Sequence, residues 1–541
     1  MSAATTIASG ESSSSLLARW AISLMIVACL AVHVARIATV KATTGESPML
    51  SANDRSRWCT VRSLVDEGTY AIDSSVVIKH PETNRRYWKT IDMVRHRGPD
   101  GKEHYYSSKP PLFPTLVAGQ YWVIRNVAGV SLDEHPFQVM RVILVLTNIL
   151  PLALYLIVLQ RCVWGLGVSP LAALFTMAAA TWGTHLTTFA VTFNNHLPGA
   201  ICVLLATACL LEIWQRQQAG RPERLGMWFA AAGLLAAFGV ANELPALAYF
   251  ACAALAALYL SPRWTLVAFA PAALVVALAF CLTNYLAHGT WIPAYGHRAD
   301  GPVIASVSAD AARAELEQQA VPVIVREALE RAGRPLSPQA MVKAMQAGAR
   351  WTLWDRHDAH RFALVISDQN LEIRRWDNWY DYEGSYWTGP RQGVDRGEPS
   401  LVRYAVHALI GHHGVLSLTP MWLLSIWGVG LLWRRKPEAD RVLAAVIGSV
   451  TLVCLAFYLT RPLIDRNYGG VSCGFRWMFW LIPLWLLCMA PAADRILHTR
   501  GGRVVALILL AISIFSASYS WANPWTHPWI WQWGDFLGWW D

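Results

Sequence analysis

The chain has 541 residues, of which 55% are hydrophobic and only 15% charged, with a mean hydropathy of +0.32 and a formal net charge of +9. Several apolar runs reach the roughly 20 residues that a bilayer crossing needs, so an ordinary soluble globular protein is excluded. Open sheets cannot cross lipid, which leaves an all-α polytopic membrane protein, and the basic excess suits cytosolic loops better than a nucleic-acid partner.

In chain order, residues 1–19 are rich in Ser, Ala and Thr and read as a disordered cytosolic segment. Trp20 to Val40 exceeds a signal h-region of about 7–15 residues and reads as an uncleaved signal anchor. A loop follows over 41–114, too polar to enter a bilayer from Ser47 to Pro114. Within it, Trp58, Val61, Leu64 and Val65 fall at helical spacing, so Arg55 to Glu67 reads as an amphipathic helix suited to a membrane surface, ended by Gly68. Val76 to Tyr106 reads as short strands and turns, with Pro99-Asp100-Gly101 as a turn signal. Leu112 to Val130 is semi-apolar and suits the interface.

Further spans are expected near Phe137–Leu159, Pro170–Ala190, Leu197–Trp214, Leu225–Val240, Leu244–Leu260, Thr265–Leu286, Leu416–Trp433, Val442–Leu459, Trp477–Ala490 and Val504–Trp521, about eleven in all with the first. Asn242-Glu243 and Pro245 divide the fourth and fifth of these, because a Glu at mid-bilayer is costly. The division of the chain is then 20–286 for an amino-terminal transmembrane module holding the first loop, 287–403 for a large α+β loop domain, 404–521 for a second transmembrane module and 522–541 for a Trp-rich tail. In the large loop, Ser308 to Arg350 reads as helical, and Trp351 to Pro399 is dense in Trp, Tyr, Asp and Gly. That second part suits either a sugar-contacting surface or the aromatic core of a small lid domain.

Short loops carrying Arg216, Arg221, Arg224, Arg263, Arg434, Arg435, Lys436, Arg441, Arg495, Arg500 and Arg503 all fall on one side if there are eleven spans and a cytosolic amino terminus. The first loop, the large loop and the tail then lie outside, giving an integral protein of the cytoplasmic membrane with an extracytosolic or periplasmic polar face and an outside carboxyl terminus. Cys59 and Cys473 fall together on that face and are candidates for a disulfide.

Several residues there could carry chemistry. Asp54 reads equally as a helix N-cap or as a general base next to Asn53. Lys109 precedes Pro110-Pro111-Leu112, which keeps it out of a helix at the headgroup layer, where it either snorkels or meets a lipid phosphate. Arg461, Arg466 and Arg476 suit phosphate oxygens or ion pairs with Asp465 and loop carboxylates. Glu243 is a capping or pairing carboxylate, or a substrate contact. Asn194, Asn195 and His196 either bond sugar hydroxyls or cap the next span. The histidines His288, His297, His357, His360, His407, His412 and His413 are not gathered by sequence, so no metal site is expected from them. Asp381-Tyr382-Glu383 is an acidic pair that could hold a divalent ion.

One span, an outer loop opening on Asn53-Asp54 and closing on Tyr105-Tyr106-Ser107-Ser108-Lys109-Pro110-Pro111-Leu112-Phe113-Pro114, then many spans, resembles the GT-C membrane glycosyltransferases. The nearest subgroup is that of the protein-mannosyltransferase and aminoarabinose-transferase-like proteins, including the rhizobial lipopolysaccharide core transferases. The resemblance implies Asp54 as the catalytic residue. It implies Lys109, Pro110, Pro111 and Leu112 near the donor phosphate, a polyprenyl-phosphate sugar as donor and inversion at the anomeric centre. The acceptor would be a hydroxyl of a glycan, lipid or protein, and no cofactor is firmly implied, with a divalent metal as an open alternative. The family's Asp-Glu pair is Asp54-Arg55 here, while Asp66-Glu67 carries those letters at the end of the amphipathic stretch. Two competing readings are a transporter or flippase of a lipid-linked sugar and a non-catalytic membrane scaffold.

Overall fold

The computed structural model describes residues 13–42, 45, 47–80, 83–221, 223–346, 350–355, 360–388 and 391–539, without the side chains of Gln346 and His360. Along the chain the helices used below are α1 (Ser13–Thr39), α2 (Ala52–Arg62), α3 (Leu112–Ala128), α4 (Pro136–Gly165), α5 (Pro170–Trp182), α6 (His196–Gln218), α7 (Leu225–Asn242), α8 (Leu244–Leu260), α9 (Pro262–His288), α10 (Ala309–Glu317), α11 (Val323–Arg331), α12 (Leu401–Leu409), α13 (Trp422–Trp433), α14 (Glu438–Leu459), α15 (Arg476–Ile496) and α16 (Arg500–Tyr519). Among the described residues, eight are long and apolar enough to cross a membrane: α1, α4, α6, α7, α9, α14, α15 and α16. Of the eleven expected spans, α5, α8 and α13 are shorter. The Pro170–Ala190 run divides because α5 stops before Gly183 and only short turns follow, His185–Thr188 and Phe189–Val191.

The α1 helix begins at Ser13, so the expected disordered segment cannot extend to 19; residues 1–12 lie outside the described residues. The break between α7 and α8 falls where the sequence puts it. Glu243 is extended at φ −132°, ψ 98°, and Pro245 starts the next turn. Proline opens α4, α5 and α9, where its missing N–H costs nothing.

The chain divides into two compact units: residues 1–54, 116–280 and 393–541 form the first, and residues 55–115 and 281–392 the second. Residues 55–114 of the first loop and 287–392 of the large loop, separate in the sequence division, thus share one unit, while the first loop's start, with Asp54, belongs to the other.

The first unit is a helix bundle. Its centre is α15, which is apolar all round and buried at every position from Ile482 to Ala493. Small residues let helices close on one another, as membrane bundles require. A Cβ on Gly428 of α13 would collide with the Cys488 carbonyl of α15. On α9 the apolar residues Leu266, Leu274 and Leu278 are exposed, which suits a lipid-facing helix.

The second unit holds a hairpin and a five-stranded antiparallel sheet. Strands β1 (Met93–Arg97) and β2 (Glu103–Ser107) are joined by the expected Pro99-Asp100-Gly101 turn, with Gly101 at φ 77°. Strands β3 (Val303–Ser308), β4 (Met341–Gln346), β5 (Arg350–Asp355), β6 (His360–Ser367) and β7 (Asn370–Arg375) lie in the order β3-β7-β6-β5-β4. Helices α10 and α11 cover this sheet through Ala312, Leu316, Val325 and Leu329 against Leu353, Leu364, Leu371 and Ile373. Helical structure therefore stops at Arg331 within the Ser308–Arg350 stretch, and β4 occupies its end. The hairpin shares a second core with the aromatic stretch, through Val94, Tyr106, Ala294, Trp379 and Tyr380. The backbone N–H of Arg95 donates to the Trp379 carbonyl at 2.9 Å.

Candidate functional site

Asp54 lies in the first turn of α2 and is fully buried. It is not the N-cap; that position belongs to Ser51. The Asp54 N–H donates to Ser51 Oγ at 3.1 Å, while the Asp54 carboxylate accepts from Ser51 Oγ at 2.9 Å and from the Leu50 N–H at 3.2 Å. The arrangement is a variant of the capping box, with the carboxylate reaching the Ser51 hydroxyl and the Leu50 N–H rather than the Ser51 N–H, and it fixes the carboxylate's orientation. Asn53 beside it is also buried. The remainder of α2 does not present an apolar face outward: Trp58 and Val61 are fully buried, which replaces the expected surface-lying helix. The helix runs on through Ser63–Glu67 to Gly68 at φ 68°, the expected stop. Glu67 is held by Arg62 at 2.6 Å and by the Ser74 hydroxyl, a structural role for the second carboxylate of Asp66-Glu67.

Lys109 follows β2 in the second unit. Its Nζ pairs with Asp92 Oδ2 at 3.1 Å, and its N–H donates to Ser107 Oγ at 3.1 Å. The Asp92 carbonyl accepts from Ser56 Oγ at 2.5 Å and from the Ser108 N–H at 3.1 Å. Hairpin pairing makes the partnership, since Met93 faces Ser107. Sequence spacing alone does not point to Asp92, and the lysine's partner was missed for that reason. Lys109 remains 22% exposed at its side chain. Pro110 is half-buried and Pro111 buried, and the Pro111 carbonyl accepts the Thr115 N–H at 2.9 Å at the start of α3.

In the first unit, five of the candidates come together. The Asn194 Oδ1 accepts the N–H groups of His196 at 2.9 Å and Leu197 at 3.0 Å, so it caps α6. Its Nδ2 donates to the carbonyls of Phe189 and Thr192 at 2.9 and 3.0 Å. The Asn195 Nδ2 donates to Glu243 Oε1 at 2.6 Å, and His196 Nδ1 contacts the same oxygen. On the other side of the ring, Arg476 Nη1 meets His196 Nε2 at 2.6 Å. A guanidinium can only donate, so Nε2 accepts and the ring proton sits on Nδ1, the nitrogen beside Glu243. The result is a buried chain of cation, neutral imidazole and carboxylate. Arg476 is held further by the Gly469 carbonyl and lies 4.6 Å from the Trp525 ring centroid.

Arg461 and Arg466 have other partners. Arg461 pairs with Asp465 at 2.5 Å. Arg466 donates to the carbonyls of Arg461 at 2.9 Å and Pro399 at 2.8 Å. The ion-pair reading of Arg461 is the one seen.

The remaining sequence candidates separate. All ten cysteines are free; Cys59 and Cys473 are each buried, and the candidate disulfide between them is not formed. Burial pushes both thiols up to about 12. Asp381 and Glu383 diverge because a turn, not a strand, runs through them; in a strand, residues two apart would share a face. Asp381 is fully buried and pairs with Arg350 at 2.8 Å, while Glu383 is 81% exposed at its side chain. His357 lies outside the described residues. Of the aromatic stretch, Trp379, Tyr380 and Tyr382 are buried in the unit's core. A cavity of about 340 Å³ in the same unit is lined by Arg95, Glu103, Lys343, Trp354, Arg361 and Tyr382.

Fold and site together define a polytopic helical membrane protein, by the length and apolarity of its helices, with a buried Arg–His–Glu chain in its bundle and a polar α+β unit. No protein-family model matches the chain, and no curated protein matches it. Among solved structures the chain is similar to the apo form of the oligosaccharyltransferase of Archaeoglobus fulgidus, with 12% identity and a TM-score of 0.41 over 95% of this chain and 57% of that one. It therefore spans little more than half of that protein's length.

Proposed function

We propose that the protein is a GT-C-type membrane glycosyltransferase that moves a sugar from a polyprenyl-phosphate donor to an extracytosolic acceptor hydroxyl, with Asp54 as general base. The observation that carries the reading is the buried Asp54 carboxylate, fixed in the first turn of α2 shortly after the first long apolar helix. In the step itself, Asp54 takes the proton of the acceptor hydroxyl and the oxygen bonds to the anomeric carbon from the face opposite the phosphate. The carbon–oxygen bond to phosphate breaks, its electron pair leaves with the polyprenyl phosphate, and the anomeric centre inverts. A hydroxyl is a weak nucleophile until a base accepts its proton, and positioned bases contribute about 10²–10⁴-fold.

The test is Asp54→Asn in membranes supplied with a labelled polyprenyl-phosphate sugar. Transfer falls by at least about 10²-fold while labelled donor still binds. A Ser51→Ala variant loosens the same cap and loses stability more than rate. Wild-type transfer by Asp54→Asn would remove Asp54 from the mechanism.

A further inference from the structure

Glu398, His407 and His412 converge in the first unit. One carboxylate oxygen and one nitrogen from each ring lie within 4.8 Å of one another. The local fold builds this arrangement. His407 is in the last turn of α12, and the Gly411 N–H turns back onto the Val406 carbonyl at 2.8 Å, which brings His412 beside it. A Cβ on Gly411 would stand 2.5 Å from His407 Nδ1, so glycine leaves the space that the ring occupies. The two rings stack, with centroids 3.9 Å apart at 15°.

Both kinds of donor are oriented from behind. His412 Nδ1 lies 2.5 Å from His413 Nδ1, which fixes the orientation of the His412 ring. His413 is itself stacked on Tyr468, with centroids 4.2 Å apart. The Tyr468 hydroxyl donates to Glu398 Oε1 at 3.1 Å, and Arg403 Nε lies 3.4 Å from Oε2. A carboxylate offers about four lone-pair sites, so these contacts leave room for a further bond.

We propose that Glu398, His407 and His412 bind one divalent transition-metal ion, with zinc the best fit, and that His413 and Tyr468 orient two of the ligands. Two imidazoles and a carboxylate form a mixed nitrogen–oxygen set, whereas calcium and magnesium prefer all-oxygen shells. A metal-bound histidine ordinarily engages its other ring nitrogen in a hydrogen bond, the part His413 plays here. Three protein ligands leave a fourth tetrahedral position for water. The ion would tie the approach to α12 to the turn after it. This site stands apart from the transfer proposed above and needs neither Asp54 nor the donor.

The experiment uses the full chain in detergent, stripped with chelator and then equilibrated with micromolar Zn²⁺, with bound metal measured by mass spectrometry. The expected content is about one equivalent, with Glu398→Gln weakening affinity tenfold or more and His407→Ala/His412→Ala abolishing binding. Cobalt substitution reads the geometry directly, and the visible spectrum of a nitrogen–oxygen Co²⁺ site should collapse in the same variants. Gly411→Ala keeps every ligand but crowds His407, and it too should lower affinity, which covers the case in which the histidine double variant does not fold. Asp54→Asn should keep its metal in full. Wild-type protein that takes up no zinc, or a folded double variant that still holds an equivalent, would overturn the proposal.

Discussion

Removal of the Glu243 side chain is the most informative perturbation of the bundle. Its Oε1 receives the Asn195 amide at 2.6 Å and faces His196 Nδ1, and both histidine and glutamate are buried. Glu243→Ala takes from the Asn195 amide its 2.6 Å acceptor, leaving it the Asn242 carbonyl at 3.0 Å, and removes the carboxylate beside His196 Nδ1, the counterpart of the Arg476 charge at the far end of the ring. Loss of one partner from a buried charged network costs about 3–5 kcal/mol in comparable cases, so the expected destabilisation is about 3–5 kcal/mol. Glu243→Gln keeps one acceptor and the shape, and should cost about half as much. Gly199→Ala supplies a third point, because its Cβ would stand 2.9 Å from Glu243 Cγ and push the carboxylate off its partners. Chemical denaturation of the detergent-solubilised protein, followed by tryptophan fluorescence, measures all three. A Glu243→Ala variant within about 0.5 kcal/mol of wild type would refute the reasoning, since that is the range of an unremarkable surface change.

Further outcomes follow from the same contacts. Arg350→Met removes the bidentate bonds to Asp300 at 2.8 and 2.7 Å and strands the buried Asp381 charge. It should cost about 3–5 kcal/mol, with part recovered in Arg350→Met/Asp381→Asn, as denaturant titration would show. Gly428→Ala drives a methyl into the Cys488 carbonyl and should reduce the yield of monodisperse protein on gel filtration. Burial lowers the His96 pKa to about 4. The unfolded chain therefore takes a proton at this position first, so stability is present above pH about 6.5 and is lost as pH falls toward about 4, by at most about 3 kcal/mol. His96→Phe retains the stack on Tyr106 and should flatten that acid limb of the stability–pH profile; an unchanged limb would assign it elsewhere. Lys109→Met breaks the pair with Asp92 and should loosen the hairpin, read as faster hydrogen exchange across Met93 to Ser107.

Much of the helical architecture is legible in the sequence because lipid permits so few solutions. Long apolar runs become α1, α4, α6, α7, α9, α14, α15 and α16, and Glu243 with Pro245 ends one helix and starts another where burial of a charge demands it. The Pro99-Asp100-Gly101 turn and the Gly68 stop follow from backbone preferences that act locally. Misreadings arise where tertiary contacts decide. Trp58 and Val61 have the spacing of a surface helix, but neighbouring protein covers them. The stretch before Arg350 is rich in helix formers, yet its end pairs with β5 as β4. At the site, Glu243, His196 and Arg476 are each visible as unusual polar residues, while their mutual bonding is not, because Arg476 comes from a segment far along the chain. Asp92 beside Lys109 and Glu398 beside His407 and His412 escape for the same reason: register and a backbone turn create them, with no short motif to announce them.

The α+β unit takes its two halves from either side of residues 116–280. During synthesis the hairpin of β1 and β2 emerges early, yet Trp379 and Tyr380, which complete its core, arrive only after that whole intervening helical stretch has been made. Until then Val94 and Tyr106 pair with each other but lack Ala294, Trp379 and Tyr380, and an isolated two-stranded hairpin is marginal in water. The early segment is thus obliged to wait as a sticky, unfinished fragment. Ribosome pausing, a holding chaperone or a truncation before residue 379 would each act on this interval, and shortened chains that stop there should aggregate or be degraded although most of their apolar helices are already present.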